Sequence, residues 1–369
     1  MHVKRFFFVI LLLTVAVGLA HAVPTLDDES IDLKALYQQI DDAISQSPQY
    51  VAEREHKITA CRNRLLKETN VEKKVTIAEE LFLLYQPYKN DSALHYAEVC
   101  INLADSLHRP DLVGRFRSLL AYQCSNSDMY AESLEQLRMV DRSALDKNGQ
   151  CDYYNAWMHV CGEIGSYTQI KDVRERYFDQ QNLYRDSVLM VADEGSEHDL
   201  HLKMDILNAR QLYQDALKIS DEWFEMVANK THESAYAAFY RSMVYEKLGN
   251  HDMVCYWLGR SALDDIRCAV MNQASLLFLA EHLADDGDIS RARRYVEFAK
   301  DCNYFFTPRL HNYQVNAVIK VIEKSNQANQ SRANLMQVIA SVVIVLLLIV
   351  LIFTVFRLRK WQSLNSKVR

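Results

Sequence analysis

Apolar positions along most of this chain recur at helical spacing. Leu33, Leu36, Ile40 and Ile44 form one stripe, which stops near Pro48. A second, more charged stripe runs from about Tyr50 to Leu66, and the two predict an N-terminal helical hairpin over residues 23–69. From 70 to 323 the pattern predicts helices of roughly 12 to 20 residues joined by short polar turns. The breaks fall near Asn70, Asn90, Pro110, Asp128, Gly149, Gly165, Gly195, Ala209, Thr231, Asn250, Val270, Asp288 and Pro308. Outside the apolar run near the C-terminus, no segment shows the alternation of β-branched residues that a strand would.

The two ends read differently from the middle. Lys4 and Arg5 precede an apolar run, Phe6 to Ala20, that closes on Ala20-His21-Ala22. That is the layout of a cleaved signal peptide over residues 1–22, with an uncleaved anchor as the alternative. The first cysteine is Cys61, so no lipid anchor is expected at the cleavage point. Residues 336–356 are apolar and uncharged, long enough to cross a hydrocarbon core of about 30 Å. Arg357, Arg359, Lys360, Lys367 and Arg369 follow in a basic tail, 357–369, without an acid among them. Positive charge marks the cytoplasmic side, so residues 23 to 335 are expected outside the cytoplasm. A polar linker, 324–335, joins the helical array to the span.

Composition agrees with helices. Gly (9) and Pro (5) are scarce in 369 residues, so turns are few. Of 42 basic residues, two lie in the leader and five in the tail; the exported part therefore carries 35 against 48 acidic. An acidic surface of this kind disfavours nucleic acid and anionic lipid as partners. Eight cysteines are scattered from Cys61 to Cys302 without a CxxC pair, in a chain large enough to build a core without staples. Small buried thiols at helix contacts are the expectation, with one or two bridges as the alternative.

An internal repeat is legible near the end of the exported part. Leu276, Leu279, Ala280 and Leu283 precede Gly287-Asp288, then Ala292, Tyr295 and Ala299. Small residues let two helices approach and a glycine makes the turn between them. Ser242, Tyr245, Gly249-Asn250, Leu258 and Ser261 form a weaker copy 38 residues earlier. Ala93, Tyr96 and Cys100 echo Ala292, Tyr295 and Ala299. The fold expected is all-α: a tetratricopeptide-like helical-hairpin solenoid with one C-terminal transmembrane helix.

Longer stretches carry a family resemblance. Asp91-Ser92-Ala93-Leu94-His95-Tyr96-Ala97, Tyr184-Arg185-Asp186-Ser187-Val188-Leu189 and much of Ser261 to Tyr295 resemble bacterial membrane-anchored tetratricopeptide proteins described as a domain of unknown function. The resemblance implies a periplasmic sensor array, one span of the inner membrane, a cytoplasmic coiled coil and a helix-turn-helix output. Only 13 residues follow Phe356, too few for that output, so DNA binding is not carried over to these residues.

Candidate chemistry is thin. His198 and His201 stand three apart, with Glu194 and Asp205 nearby, but no second strong ligand pair accompanies them. They read as solvated polar residues, as do Asp264-Asp265 and Asp285-Asp286 at helix ends. Asp285-Asp286 is unfavourably placed against a helix dipole. No nucleophile elbow, Walker loop or dinucleotide motif occurs, so no cofactor, metal or catalytic residue is expected, and the chain reads as non-enzymatic. Tyr85, Tyr88, Tyr122, Tyr153, Trp157 and Tyr240 are candidate anchors for a protein or peptide partner, because aromatic side chains bind at little entropic cost. An envelope scaffold is the alternative to a sensing module.

Overall fold

In the computed structural model, residues 31–227, 231–306, 327, 330–331, 334–355 and 357–358 are described. The leader 1–22, the turn near Pro308, and most of the linker and tail lie outside the described residues. No strand occurs among the described residues.

Helix α1 (Leu33–Lys67) precedes six helix pairs. These are α2 (Val71–Tyr85) with α3 (Asn90–Ser106), α4 (Pro110–Ser125) with α5 (Tyr130–Arg138), and α6 (Lys147–Tyr167) with α7 (Lys171–Val191). Then follow α8 (Glu197–Ala209) with α9 (Tyr213–Met226), α10 (His232–Leu248) with α11 (His251–Arg267), and α12 (Ala274–Asp285) with α13 (Ile289–Phe306). A 3-10 turn, Arg142–Ala144, leads into α6. Helix α14 (Asn334–Val355) has a mean hydropathy of 3.4 and is long and apolar enough to cross a membrane.

Starts are set by side chains. Asn70, Asp146, Ser196, Thr231 and Asn250 each accept a hydrogen bond from a backbone N–H of the helix that they open. Six stops share one backbone device. After α10 and α12, Gly249 (φ 68°) and Gly287 (φ 90°) turn left-handed, and the next N–H bonds back to Tyr245 and Leu283 at 3.1 and 2.9 Å. The same bond closes after α3, α4, α8 and α11 with His108, Asp128, Gln211 and Ala269 in the left-handed position. Gln211, Gly249 and Gly287 stand 38 residues apart, so the pitch read between two glycines extends one pair further back.

The small positions of the repeat do what their size permits. Ala93, Ser242, Leu276, Leu279, Ala280, Ala292, Tyr295 and Ala299 are buried between helices. Tyr96 is half-buried and stacks on Tyr85 at 5.5 Å. None of the eight cysteines forms a disulfide, and six are buried. Burial pushes those of Cys100, Cys124, Cys161 and Cys302 up to about 12, so they are inert packing groups.

The N-terminal hairpin is not formed. Helix α1 runs unbroken through Pro48. The proline is exposed, so the carbonyl that it leaves unbonded can reach water. Each half of α1 has its own partner, and this holds the helix across the proline. The first half lies on α11 and α13: Leu36 and Ile40 pack against Gly259, Tyr295 donates to the Tyr37 carbonyl (3.2 Å), and Arg294 pairs with Asp41 (3.0 Å). The second half lies on α2, where Arg64 pairs with Glu80 (2.9 Å). Between them Arg54 donates to the Leu84 and Cys268 carbonyls at 2.7 and 2.6 Å. The Met271 N–H donates to the Pro87 carbonyl at 2.8 Å. The first and last helix pairs therefore share one core, which holds Phe82, Phe116, Met271 and Phe306 together.

Candidate functional site

First helices of neighbouring pairs meet through their side chains. Arg115 of α4 reaches Glu79 of α2 (2.8 Å) and Asp152 of α6 (2.9 Å). Two turns along the same face, Tyr122 of α4 meets His159 of α6 at 4.4 Å between ring centroids. Ser125 shares a hydrogen bond with His159 Nδ1 at 2.7 Å.

The same face continues on α8 and α10. His201 of α8 lies 4.1 Å from the Tyr240 ring and 5.6 Å from those of Tyr236 and Trp223. Tyr236 and Tyr240 share a hydroxyl hydrogen bond of 3.1 Å. Burial raises all three tyrosines first; beyond it, Tyr236 raises Tyr122 of α4 and Tyr122 raises Tyr240, so the rings lie near one another. Four helices thus turn one continuous set of side chains toward one another, and most of the set is partly accessible.

Carboxyl groups ring these aromatics. Burial pushes Glu163 up to about 7, with Asp128 adding to the effect. Burial also raises Glu197 and Asp205 above the ordinary carboxylate range. His201 goes the other way: burial, then the neighbouring His198, lowers it to about 3, so the ring is neutral. A face of ring surfaces, hydroxyls and carboxyls, with Glu163 partly protonated at neutral pH, can stack on a ligand and both accept and donate hydrogen bonds. It offers no cluster of cations to an anionic ligand.

The six candidate anchors separate into three groups. Tyr122 and Tyr240 stand on this face. Tyr153 and Trp157 are half-buried, and Trp157 stacks on Tyr184 of α7 at 5.2 Å, a contact inside one helix pair. Tyr88 is 1 % exposed, donates to Glu55 (2.7 Å) and packs on Phe305, while Tyr85 is buried on Tyr96. These last two hold the ends of the array together and are closed to a partner.

Other polar residues are relocated too. Asp264 and Asp265 are buried, where solvated helix ends were expected. Asp264 accepts from the Ser234 hydroxyl (2.9 Å) and Asp265 pairs with His232 Nδ1 (2.8 Å), so both brace the N-terminus of α10. His201 is packed against rings where solvent was expected. Residues missed in the sequence, Glu163, Glu197 and Tyr236, share a signal that was available: each stands four residues from His159, His201 or Tyr240 on the same helix, as does Asp205, which was noted only beside the histidine pair.

A family model described as the SusR N-terminal TPR domain matches residues 44–317. No curated protein matches the chain. The match spans most of the chain, and the chain belongs to that family.

Proposed function

We propose that this member of the SusR N-terminal TPR domain family is a non-enzymatic, membrane-anchored binding and sensing module. Its ligand is a protein or peptide segment held on the face shared by α4, α6, α8 and α10. One observation carries the reading: aromatic and carboxyl side chains from four separate helices converge there, with Tyr122 and Tyr240 as anchors. Tetratricopeptide arrays suit protein recognition because each pair adds one set of side chains to a common surface. The apolar helix α14 anchors the array in the bacterial inner membrane. The basic residues after it support a cytoplasmic C-terminus and a periplasmic array. Signalling then passes through the span to the cytoplasmic side.

A second reading, an envelope scaffold, is favoured by a different surface. Helix α7 and its N-cap expose Ile170, Leu183 and Met190, apolar residues that a stable partner would cover. Photocrosslinking separates the two. With a photoreactive residue at Tyr122, Tyr240 or Leu183 in the full chain in cells, the sensing reading expects adducts at 122 and 240 and none at 183. Adducts confined to 183, with one partner in fixed ratio, would replace it with the scaffold.

A further inference from the structure

Asp286 stands where a helix dipole disfavours it, at the C-terminal end of α12. Its carboxylate is 2.9 Å from His251 Nε2, on the first turn of α11. Four residues on from His251, the Cys255 sulfur lies 3.6 Å from the same nitrogen. Four residues before Asp286, the His282 ring faces that of His251 with centroids 5.2 Å apart. Two adjacent helices thus each present an i, i+4 pair to the other, histidine with cysteine on α11 and histidine with aspartate on α12.

We propose that His251, Cys255, His282 and Asp286 bind a divalent metal ion that favours nitrogen and sulfur, zinc in the first place. Ligand atoms of His251, Cys255 and His282 all lie within 4.8 Å of one another. In a tetrahedral zinc site with bonds of about 2.0–2.3 Å, ligand atoms stand about 3.3–3.6 Å apart. Rotamer adjustments of about an ångström close the difference. Two imidazoles, one thiolate and one carboxylate form a donor set of the kind that zinc takes. The thiolate and carboxylate also balance the charge of the ion. Burial is graded across the site: Cys255 is buried, His282 half-buried and His251 exposed, so the ion enters from solvent and meets the sulfur last. Glu246, with its carboxylate 3.7 Å from His282 Nε2, adds negative charge at the rim.

A second shell ties the site to α1. The Tyr37 hydroxyl lies against the Cys255 sulfur and can orient it by a hydrogen bond. The ion would clamp α11 to α12 beneath the surface on which the first half of α1 docks.

The test uses the full chain purified in detergent micelles, loaded with zinc, passed through a desalting column and assayed for metal. One zinc per chain is expected to remain, and its loading is expected to raise the melting temperature. Cobalt in its place is expected to show a thiolate charge-transfer band. Cys255→Ser removes that band, and His251→Gln and His282→Gln lose the bound zinc, each with an unchanged helical circular dichroism spectrum. His251 is exposed, so its variant carries little folding risk. Tyr37→Phe weakens zinc affinity about tenfold, as loss of an outer-shell partner does. His198→Gln, at the other histidine pair, keeps the metal. The proposal is overturned if the wild-type chain retains no zinc, or if the Cys255, His251 and His282 variants all retain as much as wild type.

Discussion

Helices α7 and α11 are both second members of their pairs, yet they have opposite environments. Along α7, Val188 is buried, and Leu183 and Met190 face solvent, as does the N-cap Ile170. Along α11, twelve of seventeen residues are buried, including Asp264 and Asp265. The cause lies outside both helices. Helix α11 is packed by α10, by α12 and by α1 across its outer side; α7 has α6 and little else. A second helix in this repeat needs one apolar stripe to fold, and whatever covers its far side decides the rest.

Two leucines put the largest number on that difference. Leu258 of α11 is 3 % exposed and Leu183 of α7 is 68 % exposed. Leu258→Ala is expected to cost about 3 kcal/mol, the transfer term plus a cavity. Leu183→Ala is expected to stay within about 0.5 kcal/mol. Urea unfolding of the full chain in micelles measures both, and equal losses would break the comparison.

Two glycines give a smaller contrast. A methyl at Gly259 of α11 would meet Leu36 of α1 at 2.8 Å, and Leu36 is buried with no room to move. Gly259→Ala is expected to cost about 1–2 kcal/mol as overpacking outweighs the gain in helix propensity. It should also expose α1 to proteolysis. At Gly162 of α6 the obstacle is the amide end of Gln181, at 2.6 Å, a flexible and half-exposed side chain that can swing aside. Gly162→Ala is expected to be neutral or slightly stabilising, and a loss as large as that at 259 would show that the middle pairs are packed as tightly as the ends.

Acidity sharpens the comparison most gently. Glu163 rises from 4.5 to about 7 on folding, so its contribution is complete below pH 4.5 and is lost as pH rises through 7. His201 falls from 6.5 to about 3, so its contribution is complete above pH 6.5 and is lost as pH falls towards 3. Together they favour the middle of the array between about pH 4.5 and 6.5. Glu163→Gln should raise the melting temperature above pH 7, and His201→Phe should raise it below pH 5. Melting curves across pH that coincide with wild type would mean that these groups are solvated.

Much of the fold could be read from spacing. Apolar residues three and four apart mark helices wherever they lie, and Ala280, Gly287 and Ala292 mark a hairpin because only small residues fit a close crossing and only a permissive one turns left-handed cheaply. Four of the six left-handed turns use His, Asp, Gln or Ala, so their backbone bond is invisible in composition. The candidate site was half legible. Tyr122 and Tyr240 announce themselves as aromatics on first helices, but Glu163 and Glu197 look like any charge on a helix.

Residue order alone establishes a helical chain, its pairing into tetratricopeptide-like repeats, and one apolar helix near its C-terminus that can cross a membrane. Each of these is a local property, set by periodicity and turn chemistry within some forty residues. Tertiary structure alone decided that α1 continues through Pro48, that Asp264 and Asp265 are buried, and that His251, Cys255, His282 and Asp286 meet. Periodicity tells which residues share a face; what covers that face depends on helices brought together from as far as two hundred residues away, as when Arg54 reaches the Cys268 carbonyl.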